Sequence, residues 1–378
     1  MANKIIISGG GTGGHIFPAL SIAGAIKKID PSAEILFVGA EGKMEMEKVP
    51  AAGYKIIGLP VAGLKRSFSF SNFAVPFKVM KSLSIAGKIL KDFQPDVVVV
   101  VGGYASAPTL WKAESKKIPC LIQEQNSYAG LTNKIVGKKA LKICVAYDGM
   151  ERFFPEDKII FTGNPIRSNI HPADEETRKK ALEYFKLDPS KQTVFIVGGS
   201  LGCGTLNSVM KQWCTERGID ADYQIIWQSG KGYHDSTEAL FSGFEETVRE
   251  GDSRIWRNVR NSDFISRMDY AFAAADIIVS RAGAGTISEL CAAGKASIFV
   301  PSPVVAEDHQ THNAMSLTSK DAALMVRDDD ASEMLIPAVE KLLADKEKIK
   351  TLEENILKMA KPDAAEDIAK EVLSLIKK

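Results

Sequence analysis

Two doubly wound α/β domains are what this sequence predicts, and three observations carry that expectation. Short apolar, β-branched runs recur along the chain, helical patterns fall between them, and glycine turns follow the runs at matching points of the two halves. In the first part the runs are 4–8, 34–38, 55–59, 96–101, 119–123, 142–146 and 158–161. In the second they are 193–197, 223–227, 254–256, 276–280, 296–300 and 322–326. Several, such as 97–101, are continuous rather than alternating, which suits strands buried on both faces of a parallel sheet. Gly9 and Gly198 stand half a chain length apart, each directly behind a strand, which predicts a ligand cleft between the facing strand ends of the two domains. The expected boundaries are 1–165, 166–345 and a Lys/Glu/Leu-rich helical segment, 346–378, that closes the second domain or packs back on the first. The polar stretch from Gly163-Asn164-Pro165 to Glu176 reads as the linker.

Composition narrows the class. A chain of 378 residues is too long for one ordinary core, and 45% hydrophobic with 25% charged residues is globular and soluble. A net charge of +1 gives no global basic field, so no nucleic-acid partner is expected. The five cysteines are scattered, with no CxxC and no neighbouring histidines, which argues for a reducing cytoplasm and against a zinc site or a disulfide framework. The apolar run after Lys4 breaks at once on glycine, unlike a signal peptide, and no stretch reaches membrane-spanning length.

The first glycine turn, Gly9-Gly10-Gly11-Thr12-Gly13-Gly14-His15, is the most informative segment. A strand that turns through glycines into a helix presents backbone N–H groups at the helix's positive end, a ready seat for a phosphate or diphosphate. The helical pattern is expected from about Phe17-Pro18, where proline suits a first turn. His15 places a titratable group at the mouth of that seat. Gly9-x-Gly11-x-x-Gly14 also fits a dinucleotide fingerprint, but the second strand ends in Gly39-Ala40 where that fingerprint needs an acid for the ribose.

Further motifs stand in order: Gly102-Gly103-Tyr104, Gln123-Glu124-Gln125-Asn126, Gly163-Asn164-Pro165-Ile166-Arg167, Gly198-Gly199-Ser200-Leu201-Gly202, Arg281-Ala282-Gly283-Ala284-Gly285-Thr286-Ile287-Ser288-Glu289, and Asp308-His309-Gln310 to Asn313. With the first turn they resemble the MurG family over nearly the whole chain. That resemblance implies a metal-independent, inverting GT-B glycosyltransferase with two Rossmann-like domains and no cofactor. It implies transfer of GlcNAc from UDP-GlcNAc to the MurNAc 4-hydroxyl of a lipid-linked acceptor, lipid I to lipid II, at the cytoplasmic face of the membrane. Other cell-wall enzymes follow as candidate partners.

The same resemblance assigns residues. Ala284, Gly285, Thr286, Ile287, Ser288 and Glu289 hold the donor nucleotide, with Glu289 on the ribose; a capping box from Thr286 and Glu289 would look alike in sequence. Ser200 contacts the diphosphate, and Arg167, Arg281, Thr12, Gly13, Gly14 and Asn126 join the donor set. Phe264 and Ile265 cover uracil, the Ile265 backbone pairing with its edge. Gln310 and Asn313, three apart, share a helix face from which they could read GlcNAc hydroxyls. The acceptor falls to the N-terminal domain, on Gly13, Gly14, Gly102, Gly103, Tyr104, Asn133 and His15. His15 is the candidate general base, and a neutral His15 that simply donates to a phosphate or backbone group is the serious alternative; Glu124 is the rival base, with a carboxylate that orients Asn126 as its other reading.

Segment 64–93 mixes Lys65, Arg66, Lys78, Lys81, Lys88 and Lys91 with Phe68, Phe70, Phe73 and Phe77, a pattern suited to an anionic membrane surface, and Trp111 with Lys138-Lys139 extends it. An amphipathic helix with a buried apolar face reads the same way. Leu201, Cys203 and His309 depart from the common family residues, which leaves diphosphate and sugar contacts open. A galactolipid synthase, a UDP-GlcNAc epimerase and a non-catalytic nucleotide module are the competing readings.

Overall fold

The computed structural model describes residues 2–61, 75–103, 105–167, 169–199, 201–216 and 221–376. Contacts divide the chain into Met1–Arg167 with Lys361–Lys378, and Ser168–Ala360.

In the first unit the strands are β1 (Lys4–Ser8), β2 (Glu34–Ala40), β3 (Lys55–Leu59), β4 (Val97–Val100), β5 (Cys120–Glu124), β6 (Lys142–Val145) and β7 (Ile159–Phe161). They form one parallel sheet in the order β3-β2-β1-β4-β5-β6-β7. Helices α1 (Gly13–Ile29), α2 (Glu45–Ala51), α3 (Val75–Phe93), α4 (Ser106–Ser115) and α5 (Leu131–Val136) lie between strands. The continuous apolar runs are explained by β1. Ile5 and Ile7 pack with Ile22 and Ile26 of α1, while Ile6 faces the opposite layer with Val98 and Leu110. Helix α1 starts at Gly13, earlier than Phe17-Pro18, because the glycine turn itself winds into the first turn; Pro18 is inside the helix.

The second unit holds β8 (Thr193–Val197), β9 (Gln224–Gln228), β10 (Val248–Glu250), β11 (Ser253–Trp256), β12 (Val259–Ser262), β13 (Ile277–Ser280), β14 (Ser297–Phe299) and β15 (Leu324–Met325). Their order is β10-β11-β12-β9-β8-β13-β14-β15, with β11 antiparallel to both β10 and β12. Helices α6 (Glu175–Tyr184), α7 (Gly204–Glu216), α8 (His234–Ser242), α9 (Met268–Ala274), α10 (Ala284–Ala293), α11 (His309–Thr318), α12 (Ala331–Leu343) and α13 (Lys346–Leu357) complete it. The C-terminal helical segment divides. Leu352 of α13 joins the core of the second unit, whereas Ile368, Ala369 and Val372 of α14 (Ala364–Ser374) pack with Ile22 and Ile26 in the first.

Strand order locates the sites. In a doubly wound sheet, the crevice opens where the order reverses, outside the carboxyl ends of the two strands concerned. In the first unit these are β1 and β4, followed by Gly9-Gly10-Gly11 and Gly102-Gly103; in the second they are β8 and β13, followed by Gly198-Gly199 and Arg281-Ala282-Gly283.

Candidate active site

The two glycine turns of the first unit pack on each other. Gly10 N–H donates to the Gly102 carbonyl at 3.2 Å. A Cβ on Gly103 would stand 2.2 Å from the Gly10 oxygen, and one on Gly102 would stand 2.8 Å from His15 Nε2. Both glycines also have φ above +90°, at +97° and +92°, so side chains are refused twice over. His15 Nδ1 lies 3.1 Å from the Gly10 carbonyl and 3.3 Å from Thr12 Oγ1. A carbonyl only accepts, so Nδ1 carries the hydrogen and the lone pair of the neutral ring is on Nε2, beside the Gly102 turn.

Thr12 is the extended residue before α1, and its side chain does not cap the helix. The N–H groups at the start of the helix are therefore not met by that side chain. Gly11 does not share in this. Its N–H is taken by both carboxylate oxygens of Glu45, each at 3.0 Å. Glu45 was missed in sequence because nothing links it to a partner 34 residues away.

Behind the turns, Gln123, Gln125 and Asn164 form a buried amide network. Gln123 Nε2 donates to Asn164 Oδ1 at 3.0 Å, Asn164 Nδ2 to the Gln125 carbonyl at 2.9 Å, and Gln125 Nε2 to the Val101 carbonyl at 2.7 Å. Two motifs far apart in sequence are thus one structural unit. Glu124 is 1% exposed and committed: Oε1 accepts from Asn126 N–H at 3.0 Å, Oε2 from Gly130 N–H at 3.1 Å and Asn133 Nδ2 at 2.8 Å. Its carboxylate braces the loop that carries Asn126, and Asn133 is a buried part of the same brace. Tyr104 lies outside the described residues.

In the second unit, Gly283 precedes α10 in extended conformation and no side chain caps the helix, so the Thr286–Glu289 capping box is not formed. Ala284, Gly285 and Thr286 are partly exposed at that positive end, Ile287 is buried beneath, and Ser288 Oγ donates to the Ala284 carbonyl at 2.9 Å. Glu289 is nearly buried, one turn further along. Arg281 is otherwise engaged. Its guanidinium donates to the carbonyls of Val300 and Pro301 at 2.9 and 3.0 Å and pairs with Asp328, so it ties the ends of β13 and β14 together. Asn313 is 0% exposed, with Nδ2 donating to the Ala282 carbonyl at 3.3 Å. It braces the turn before α10. Gln310 remains partly exposed, its Oε1 accepting from Ser302 N–H at 2.9 Å.

Phe264 is 49% exposed and Ile265 is buried. The Ile265 N–H donates to Gln228 Oε1 at 2.8 Å. Gln228 Nε2 in turn donates to the Gly199 carbonyl at 3.0 Å. Sequence reasoning missed Gln228, although its place at the end of β9, before Ser229-Gly230, was a signal. Leu201 is exposed beside this turn, and Ser200 lies outside the described residues. Arg167 is exposed and closes the first unit.

All five cysteines are buried and free, and burial pushes the thiols of Cys120, Cys144, Cys214 and Cys291 up to about 12. Of the proposed membrane segment, 62–74 lies outside the described residues. Beyond it, Lys78, Lys81, Lys88, Lys91, Lys138, Lys139, Met80 and Trp111 are exposed, and no described helix is long and apolar enough to cross a membrane.

Comparison with known proteins places these features in a family. Residues 5–145 match the glycosyltransferase family 28 N-terminal domain and residues 193–368 the glycosyltransferase family 28 C-terminal domain. The chain is 52% identical over 375 residues to the UDP-N-acetylglucosamine–N-acetylmuramyl-(pentapeptide) pyrophosphoryl-undecaprenol N-acetylglucosamine transferase of Parabacteroides distasonis, covering 99% of each chain. It is 53% identical to the enzyme of that name from Phocaeicola vulgatus, covering 99% of this chain and 97% of the other. Among solved structures it matches MurG of Acinetobacter baumannii with a TM-score of 0.76 and 25% identity, over 98% of this chain and 99% of that one.

Proposed function

Because the chain belongs to the MurG family, within glycosyltransferase family 28, we propose that it moves GlcNAc from UDP-GlcNAc to the MurNAc 4-hydroxyl of undecaprenyl-diphosphate-linked MurNAc-peptide, lipid I to lipid II. The observation that carries the chemistry is the Nδ1–H bond of His15 to Gly10, which leaves Nε2 as the ring's basic nitrogen. His15 Nε2 takes the proton of the 4-hydroxyl as that oxygen attacks the anomeric carbon. The bond from that carbon to the diphosphate oxygen breaks, UDP leaves with the electron pair, and the configuration inverts.

Charge building on the diphosphate needs compensation in the transition state. The uncapped N-terminus of α10 and the Gly198-Gly199 turn supply it in the second unit, without a metal, and Glu289 accepts from the ribose hydroxyls. The acceptor's diphosphate takes the N-terminus of α1 at Gly13 and Gly14. Docking at the cytoplasmic membrane surface falls to the 64–93 segment, supported by the exposed lysines and Met80 of α3 with nearby Trp111.

The test is transfer of radiolabelled GlcNAc to a lipid I analogue in EDTA, with UDP-galactose as the parallel donor. Product from UDP-GlcNAc alone is expected. His15→Ala should lose turnover while still binding UDP; an enzyme that binds UDP but makes no product with any lipid I analogue would overturn the acceptor assignment.

A further inference from the structure

Glu45 and His15 meet the same peptide group from opposite sides. The N–H of the Gly10–Gly11 peptide donates to both oxygens of Glu45, each at 3.0 Å, and its carbonyl accepts from His15 Nδ1 at 3.1 Å. The carboxylate is built into its place. It is 1% exposed, Oε1 also accepts from Ala40 N–H at 2.9 Å, and a Cβ on Gly10 or Gly39 would stand 2.1 Å from Oε1 or 2.6 Å from Cγ. We propose that Glu45 is a positioning residue for the transfer reaction, acting on His15 through the Gly10–Gly11 peptide.

The physical link is hydrogen-bond cooperativity. A carboxylate drawn onto the N–H end of a peptide polarises it and makes its carbonyl oxygen a stronger acceptor. That oxygen then holds the imidazole hydrogen on Nδ1 and keeps the lone pair on Nε2. A carboxylate that bonds an imidazole directly does the same in Ser-His-Asp sites; here one peptide stands between the two groups. The inference rests on the reading of His15 as general base.

Glu45→Gln keeps the size of the side chain and removes its charge and one acceptor. The expected result is a fall in kcat of about tenfold or more with the KM for UDP-GlcNAc unchanged, since general-base assistance is lost but donor binding is not. In ¹⁵N-histidine NMR, His15, assigned by the loss of its signals in His15→Asn, should change from the Nδ1–H pattern to a mixture of tautomers. In the His15→Asn background Glu45→Gln should cause no further loss. An unchanged Nδ1–H pattern in Glu45→Gln overturns the proposal, as does an equal fold-loss in both backgrounds. His15→Asn with wild-type kcat would sink the base reading instead, and the tautomer signals would still decide whether Glu45 sets the ring. If Glu45→Gln does not fold, Glu45→Asp, too short to reach both Gly11 and Ala40, is read by the same signals.

Discussion

Gln228 accepts the backbone N–H of Ile265 at 2.8 Å and donates to the carbonyl of Gly199 at 3.0 Å, so one amide joins two turns assigned to the donor nucleotide. The turns follow β8 and β12, the two strands that flank β9, whose last residue is Gln228. Gln228→Ala should therefore loosen the seat without touching the chemistry. Loss of two buried hydrogen bonds predicts a rise in the KM for UDP-GlcNAc of about tenfold, with kcat little changed. Gln228→Glu keeps the acceptor for Ile265 and should fall between the two. Steady-state kinetics with saturating acceptor decide it; a fall in kcat at constant KM would count against this assignment.

Glu124 makes the opposite prediction from His15. Its oxygens are spent on Asn126, Gly130 and Asn133, so Glu124→Ala removes a brace and not a base. Leaving those buried donors unmet should destabilise the fold by about 1–3 kcal/mol. Added formate should not restore turnover, whereas added imidazole should restore part of it in His15→Ala. Recovery of Glu124→Ala by formate would return the carboxylate to the role of base.

The parallel strands were legible because burial on both faces leaves no room for polar residues: Val97, Val98, Val99 and Val100 are all fully buried. Two strands of the antiparallel edge were not. Val248–Glu250 is exposed along its length, and Val259–Ser262 reads Val-Arg-Asn-Ser, so neither β10 nor β12 has the apolar signature of a buried strand. The site divides similarly. A contiguous turn such as Gly9 to His15 carries its geometry in its own residue types. Asn313 shows the limit: spacing from Gln310 placed it on the right helix but could not say that Ala282 lies on that face. Glu45 shows another, since a buried carboxylate that bonds only backbone leaves no complementary residue to look for.

The cysteines should be silent. A thiol pushed up to about 12 by burial holds almost no thiolate at neutral pH, and the thiolate is the reactive form. Native protein treated with iodoacetamide at pH 8 is expected to keep Cys120, Cys144, Cys214 and Cys291 unmodified by mass spectrometry, and to react at all four once unfolded. Fast native labelling of any of them would mean that its surroundings open far more readily than the packing allows.

Acid sensitivity of the second unit should be readable at Glu238. Arg254 and then Arg249 hold its carboxyl down at about 2, from an ordinary 4.5, with Arg254 donating at 2.7 Å from a fully buried position. A folded-state value below the unfolded one means the unfolded chain binds more protons between the two. The stabilisation is therefore complete above about 4.5 and lost as pH falls towards 2. The full shift corresponds to about 3 kcal/mol, which one-third exposure of the side chain and solvent screening reduce to about 1 kcal/mol. Glu238→Gln should thus lower the urea midpoint at pH 7 and lose that deficit progressively between pH 4 and pH 2. Arg254 is shared with Asp263 at 3.0 Å, so the variant leaves the guanidinium one carboxylate, enough to keep it buried. A deficit that persists unchanged at pH 2 would show that Glu238 acts through packing rather than charge.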